Sequence, residues 1–161
     1  MTYNSKHPDP DSAGIYKEDH QMDLRIQENC ENIDWNKIRD YLKLVGMGYH
    51  KPELHQKAFL ISFSVVFIFD HERLIGFGRA ISDGAYQAAI YDVVVIPEYQ
   101  KQGIGRLITE RILQRISNCN IILYANLGRE EFYAKLGFRL MKTAMAKYLS
   151  PEIMKEKGFI Q

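Results

Sequence analysis

The sequence predicts one mixed α/β (α+β) domain, with strands and helices interleaved around a single sheet. Three observations predict it. The chain has 161 residues, 46% hydrophobic and 25% charged, enough for one domain with a real core and too few for two. β-Branched and aromatic runs of strand length alternate with stretches whose apolar residues recur at helical spacing, in the order β-α-α-β-β-β-α-β-α-β. One of those runs, Val93-Val94-Val95-Ile96, ends at Pro97 in a polar loop carrying Gly103 and Gly105, and a helix pattern follows.

Residues 1–20 are polar, with Pro8, Pro10 and Gly14, and read as a tail; 21–150 read as the domain and 151–161 as a C-terminal extension. Leu24-Arg25-Ile26 gives a short strand signal. Asp34 reads as an N-cap, with Trp35, Ile38, Tyr41, Leu42 and Val45 at helical spacing behind it and Gly46 and Gly48 at the end. Pro52 opens a second helix through Leu54, Ala58 and Phe59. Ser64 to Phe69 is a strand, Asp70-His71-Glu72-Arg73 a turn, and Leu74 to Ile81 the hairpin partner. Ser82-Asp83-Gly84 is a turn, and Ala88 to Ile96 the next strand. Ile104, Leu107, Ile108, Ile112, Leu113 and Ile116 mark an amphipathic helix. Ile121 to Tyr124 reads as a strand, Gly128 to Leu136 as a short helix, and Phe138 to Leu149 as a last strand.

Bulk properties exclude several classes. A net charge of +1 gives no global argument for nucleic acid or an anionic membrane, so neither partner is expected. The longest apolar run, Ala58 to Phe69, is too short to span a bilayer. The first residues carry no basic segment followed by an apolar one, so no signal peptide is expected and the cytoplasm is the default compartment. Cys30 and Cys119 stand alone, without His and Cys at metal-ligand spacing, so they read as inert thiols and no metal is expected.

The segment from Val93 to Arg106 has the form strand, glycine loop, helix. Such a segment aims backbone N–H groups and a helix N-terminus at one point, where a phosphate can bind. Arg106-Leu107 follows Gly105 where a nucleotide-binding P-loop needs Lys-Ser/Thr, and Ile108 stands where a dinucleotide fingerprint needs a third glycine. Gly76-Phe77-Gly78 lies inside a hairpin and reads as a packing or bulge feature.

Gln100-Lys101-Gln102-Gly103-Ile104-Gly105 resembles the Q/R-x-x-G-x-G/A signature of the GCN5-related N-acetyltransferase family. Downstream, Tyr124-Ala125-Asn126 and Glu131-Phe132-Tyr133-Ala134-Lys135-Leu136-Gly137-Phe138 resemble its later motif. The likeness runs from about Leu24 to Leu149. Gly78 to Gly84 and Tyr91 to Val95 are more faintly similar to plastid and bacterial members that acetylate arylalkylamines or protein amines.

The resemblance implies a mostly antiparallel sheet with the strand before the glycine loop splayed. It implies acetyl-CoA as cosubstrate, an amine as acceptor and a possible homodimer. Transfer would be direct, in a ternary complex; the alternative is a non-catalytic acyl-CoA-binding or regulatory module. Gln100, Lys101, Gln102, Gly103, Ile104, Gly105 and Arg106 would cradle the pyrophosphate, the glycines through close backbone approach and the two cations through charge. Val93, Val94 and Val95 would pair with the pantetheine arm through backbone groups, one N–H of which could stabilise an oxyanion. Asn126 would bind the cofactor, and Tyr133 would act as general acid. No base is assigned. Asp92, in an otherwise apolar strand, is a weak candidate, with Asp83 and Glu98 nearby in sequence, while His50, His55 and His71 read as surface or loop residues. By family analogy the first two helices and the hairpin build the acceptor pocket, with Tyr41, Tyr49, Phe59, Arg79 and Tyr86 as candidates.

Overall fold

The computed structural model describes residues 22–161, so the tail predicted over 1–20 lies outside the described residues. Its five-stranded sheet follows sequence order, β1 (Leu24–Gln27), β2 (Ser64–Asp70), β3 (Arg73–Ser82), β4 (Gln87–Val95) and β5 (Asn120–Ile122). The first three pairings are antiparallel and β4–β5 is parallel, which gives the mixed, mostly antiparallel sheet that the family resemblance implied.

Three longer helices cover the sheet. The helices α1 (Trp35–Leu44) and α2 (Pro52–Leu60) lie on one face, where Ile38, Leu42 and Phe59 pack with Val65, Phe67, Phe77 and Val94. The rings of Phe59, Phe67 and Phe77 meet at 5.5–6.5 Å, within the range of favourable aromatic contact. On the other face, α3 (Ile104–Arg115) sets Ile104, Ile108 and Ile112 against Val66, Ile68, Ile75 and Ile90. The central strands are therefore buried on both faces, as their near-continuous apolar composition requires.

Gly76 and Gly78 let α3 approach. A Cβ at Gly76 would stand 2.8 Å from the Val94 carbonyl oxygen and 2.9 Å from Ile108 Cδ1, and one at Gly78 would stand 2.8 Å from Ile108 Cγ2. That Gly-x-Gly is a packing feature.

The predicted last strand, Phe138 to Leu149, does not form: residues 139–149 carry neither helix nor strand. Its apolar residues do not alternate, so an extended chain has no single face to bury. Leu140, Met141, Met145 and Leu149 are all exposed. The neighbouring edge is also short, because β5 ends at Ile122 rather than Tyr124. Positive φ at Gly128 and Gly137 bracket a short helix α4 (Glu130–Ala134). The C-terminal extension holds α5 (Pro151–Glu156) and turns back, so that the Phe159 ring lies 5.9 Å from that of Tyr124.

Candidate functional site

Only three residue pairs join β4 to β5, Gln87 with Asn120, Ala88 with Ile121 and Ala89 with Ile122. β5 then stops while β4 continues to Val95, and the strands part. A cleft of about 640 Å³ opens between them, a volume typical of small-molecule sites. Val93, Val94 and Val95 line one wall, the glycine loop closes one end, and Asn126, Phe132 and Tyr133 stand opposite.

The loop geometry follows from its residues. Pro97 to Tyr99 make one 3-10 turn; Lys101 then takes φ +62° and Gly103 φ +87°, reversing the chain into α3. Gly103 is the N-cap, so the first amides of α3, from Ile104 to Arg106, have no partner within the helix. Gly105 opens onto the cleft, and a Cβ there would meet Phe132 and Val95 at an ordinary 3.6 Å. Gln100 braces the loop by donating from Nε2 to the Val95 carbonyl at 2.9 Å.

Of the predicted loop residues, Gln100, Lys101, Gly103, Gly105 and Arg106 line the cleft and two do not. Gln102 donates to the Glu98 carbonyl at 2.8 Å, and the Ile104 side chain is buried in the core. Their side chains thus shape the loop. Arg106 donates from Nε to Glu110 at 2.7 Å, so its charge is shared along the helix. Arg129 and Lys135, which the sequence reading missed, add two cations to the lining. Their signal was position, Lys135 within the downstream motif and Arg129 just before it.

Among the valines, Val94 points into the α1–α2 core while Val93 and Val95 pack toward α3. A bulge creates this arrangement. Phe77 pairs with Val94 and Arg79 with Tyr91, so Gly78 alone opposes both Asp92 and Val93. Asp92 takes φ +54°, a left-handed conformation that costs a non-glycine residue roughly 1–2 kcal/mol and is least costly for Asp or Asn. Its carboxylate accepts from Arg79 Nε at 2.5 Å.

Of the three carboxylates considered as bases, only Asp92 lines the cleft. Asp83 caps the β3–β4 turn, where the amides of Ala85, Gln87 and Tyr86 hold its carboxyl below the ordinary range. Glu98 pairs with Arg73 at 2.9 Å.

Tyr133 sits among the rings of Phe132 and Phe138, and burial pushes its phenol above the ordinary value of 10. The group holds its proton at neutral pH. Asn126 lines the cleft, and its carbonyl accepts from the Arg129 amide at 3.0 Å, opening the turn into α4.

The five acceptor candidates do not line the cleft. Phe59 is core, Tyr41 packs against both cores, Tyr49 and Tyr86 are exposed, and Arg79 is held by Asp92. The remaining wall comes instead from Leu44, Val45 and Met47 at the end of α1, with Tyr91 and Tyr124. His55 is not a surface residue either; it is buried, and its Nε2 accepts from the His50 amide at 2.9 Å. Among the described residues no three His, Cys, Asp or Glu side chains are grouped to hold a metal, and no helix is long and apolar enough to cross a membrane.

Residues 62–140 match the family model for the acetyltransferase (GNAT) domain. GCN5-related N-acetyltransferase 1, chloroplastic, of Arabidopsis thaliana is 41% identical over 136 residues, covering 80% of this chain and 68% of that protein. Histone acetyltransferase TAP1 of Glycine max is 43% identical over 72 residues, 43% of this chain, which spans only 31% of that protein's length. Serotonin N-acetyltransferase 2, chloroplastic, of Oryza sativa is 30% identical over 123 residues, covering 71% of this chain and 61% of that protein. Among solved structures, a Staphylococcus aureus protein known as a probable acetyltransferase superposes with a TM-score of 0.71 at 26% identity, over 78% of this chain and 98% of that one. The glycine loop, the parted strands and these likenesses agree, and the chain belongs to the GCN5-related N-acetyltransferase family.

Proposed function

We propose that the chain is an N-acetyltransferase that moves an acetyl group from acetyl-CoA to a primary amine, the amine attacking directly within a ternary complex. The observation that carries this reading is the meeting, around one cleft, of a parted β4, the open N-terminus of α3 and a half-buried, protonated Tyr133.

The residues fit the donor. Its pyrophosphate is a metal-independent match for the α3 amides, with Lys101, Arg129 and Lys135 supplying charge. Gly105 leaves the backbone bare where a side chain would fill the space before Phe132. Val93 to Val95 would hold the pantetheine arm by backbone pairing, as a strand is added to a sheet edge. Acetyl-CoA supplies an activated thioester; Tyr133 would give the departing thiolate its proton. Direct attack is favoured because neither cysteine lines the cleft. The wall of Leu44, Val45, Met47, Tyr91 and Tyr124 suits an amine with an apolar or aromatic body. The rice relative's name, serotonin N-acetyltransferase, points to the same class.

The test is an acceptor screen with acetyl-CoA over arylalkylamines, polyamines, amino sugars and peptide N-termini, read by release of the CoA thiol. Transfer to an amine is expected, arylalkylamines leading. CoA binding with no transfer to any acceptor would instead leave a non-catalytic acyl-CoA-binding module. Binding of ATP rather than CoA would remove the reading.

A further inference from the structure

The β4 bulge is supported from three elements. Asp92 holds a left-handed conformation inside a buried strand, where Val93, Val94 or Val95 could not. Its carboxylate meets Arg79, which follows Gly78, the residue opposite the bulge. Arg79 is fixed in turn. Its Nη1 donates to Ser62 Oγ at 3.4 Å, just past α2, and its guanidinium carbon lies 5.6 Å from the Phe59 ring and 5.3 Å from that of Tyr91. The side chains of Arg79 and Asp92 are 16% and 21% exposed, so this is not a solvated surface pair. The bulge it holds sets the phase of the cleft wall. Before it, Ala88 and Ile90 face α3; after it, Val93 and Val95 do. A one-residue slip would turn those side chains over and move every backbone group beside the cleft.

We propose that Arg79 is a positioning residue, which through Asp92 pins the bulge and so fixes where Val93, Val94 and Val95 present their backbone groups to the acyl donor. The proposal rests on the acetyl-CoA reading of the cleft. It makes Asp92 a strut, where a general base would have to exchange a proton with the amine.

The test compares wild type with Arg79→Met, Asp92→Asn and Asp92→Ala. Readouts are CoA affinity by calorimetry, kcat and KM for acetyl-CoA, the pH–rate profile, and amide hydrogen exchange of the ligand-free proteins. Methionine fills the space between the two rings but cannot hold Asp92. Arg79→Met is expected to lower kcat/KM by about 100-fold through misplacement, with weaker CoA binding. It is also expected to speed exchange at residues 92–95 while α3 stays protected. Asparagine tolerates positive φ and still accepts from Arg79, so Asp92→Asn should recover most of what Asp92→Ala loses and keep the wild-type pH profile. Loss of kcat in Asp92→Asn at unchanged KM would overturn the proposal in favour of a base. Folded Arg79→Met with wild-type exchange at residues 92–95 would overturn it outright. Failure of the wild type to bind CoA would remove the acetyl-CoA reading, while the exchange comparison still decides whether Arg79 pins the bulge.

Discussion

Tyr133 differs from phenylalanine by one hydroxyl, and burial sets what that hydroxyl can do. Desolvation raises its pKa, so it can give a proton near neutral pH and cannot lose one beforehand. Tyr133→Phe is expected to leave CoA affinity and the fold unchanged and to lower kcat by about 10²–10⁴-fold, the range for loss of a general acid. Steady-state kinetics with a CoA titration check both halves. The two Gly-x-Gly motifs make a second residue-level contrast. A Cβ fits at Gly105, so Gly105→Glu should fold, yet it puts a carboxylate where an anion is to bind. Calorimetry should detect no CoA binding. At Gly76 a Cβ would press on a backbone oxygen and on Ile108, so Gly76→Ala should cost about 1–3 kcal/mol of stability in urea while CoA binding by the folded fraction persists.

At the level of elements, local chemistry was legible and phase was not. Asp34 caps α1 by accepting from the Asn36 and Lys37 amides at 3.0 and 3.4 Å, as its place before Trp35 predicted. Asp34→Ala should lower stability by about 1 kcal/mol, seen as a lower urea midpoint at unchanged slope. The glycine loop was equally readable, because a strand end, two glycines and a helix pattern leave few ways to run the chain. The direction of each valine was not. In Val93-Val94-Val95 every position is apolar, so alternation carries no signal, and the bulge was marked only by Asp92 in the strand and by Gly78 on the strand opposite. The absent last strand is the opposite case: β-compatible residues were present, but without alternation they had no face to bury. Tyr41 and Phe59, named for the acceptor pocket by family analogy, pack with the core instead, and helical spacing could not tell the two apart, since it shows that a residue faces something without distinguishing core from cleft.

At the scale of the whole molecule, the sheet is gripped from both sides, and the α1–α2 side holds a buried histidine. His55 on α2 is 5% exposed, and its Nε2 accepts the His50 amide, which requires an unprotonated nitrogen. Burial is the largest influence and lowers its pKa below 6.5; Asp92 opposes this, while His50 and Arg79 add to it. A histidine with a depressed folded pKa takes up its proton more readily when unfolded. Between the depressed value and 6.5 the unfolded chain therefore binds more protons, and stability rises with pH. The contribution is fully present above 6.5, declines as pH falls toward the folded value, and falls no further below it. His55→Gln keeps a side-chain acceptor but cannot titrate, so its stability should change less between pH 7 and pH 5 than that of wild type. Urea midpoints of the two proteins across that window check this, because carboxylate titrations shared by both cancel in the difference. Equal slopes would mean that His55 contributes nothing to the acid sensitivity of the fold. A steeper wild-type slope would show that proton uptake by His55, in the α1–α2 layer that supplies Ser62 to Arg79 and Leu44 to the cleft, accounts for part of the acid sensitivity of the fold.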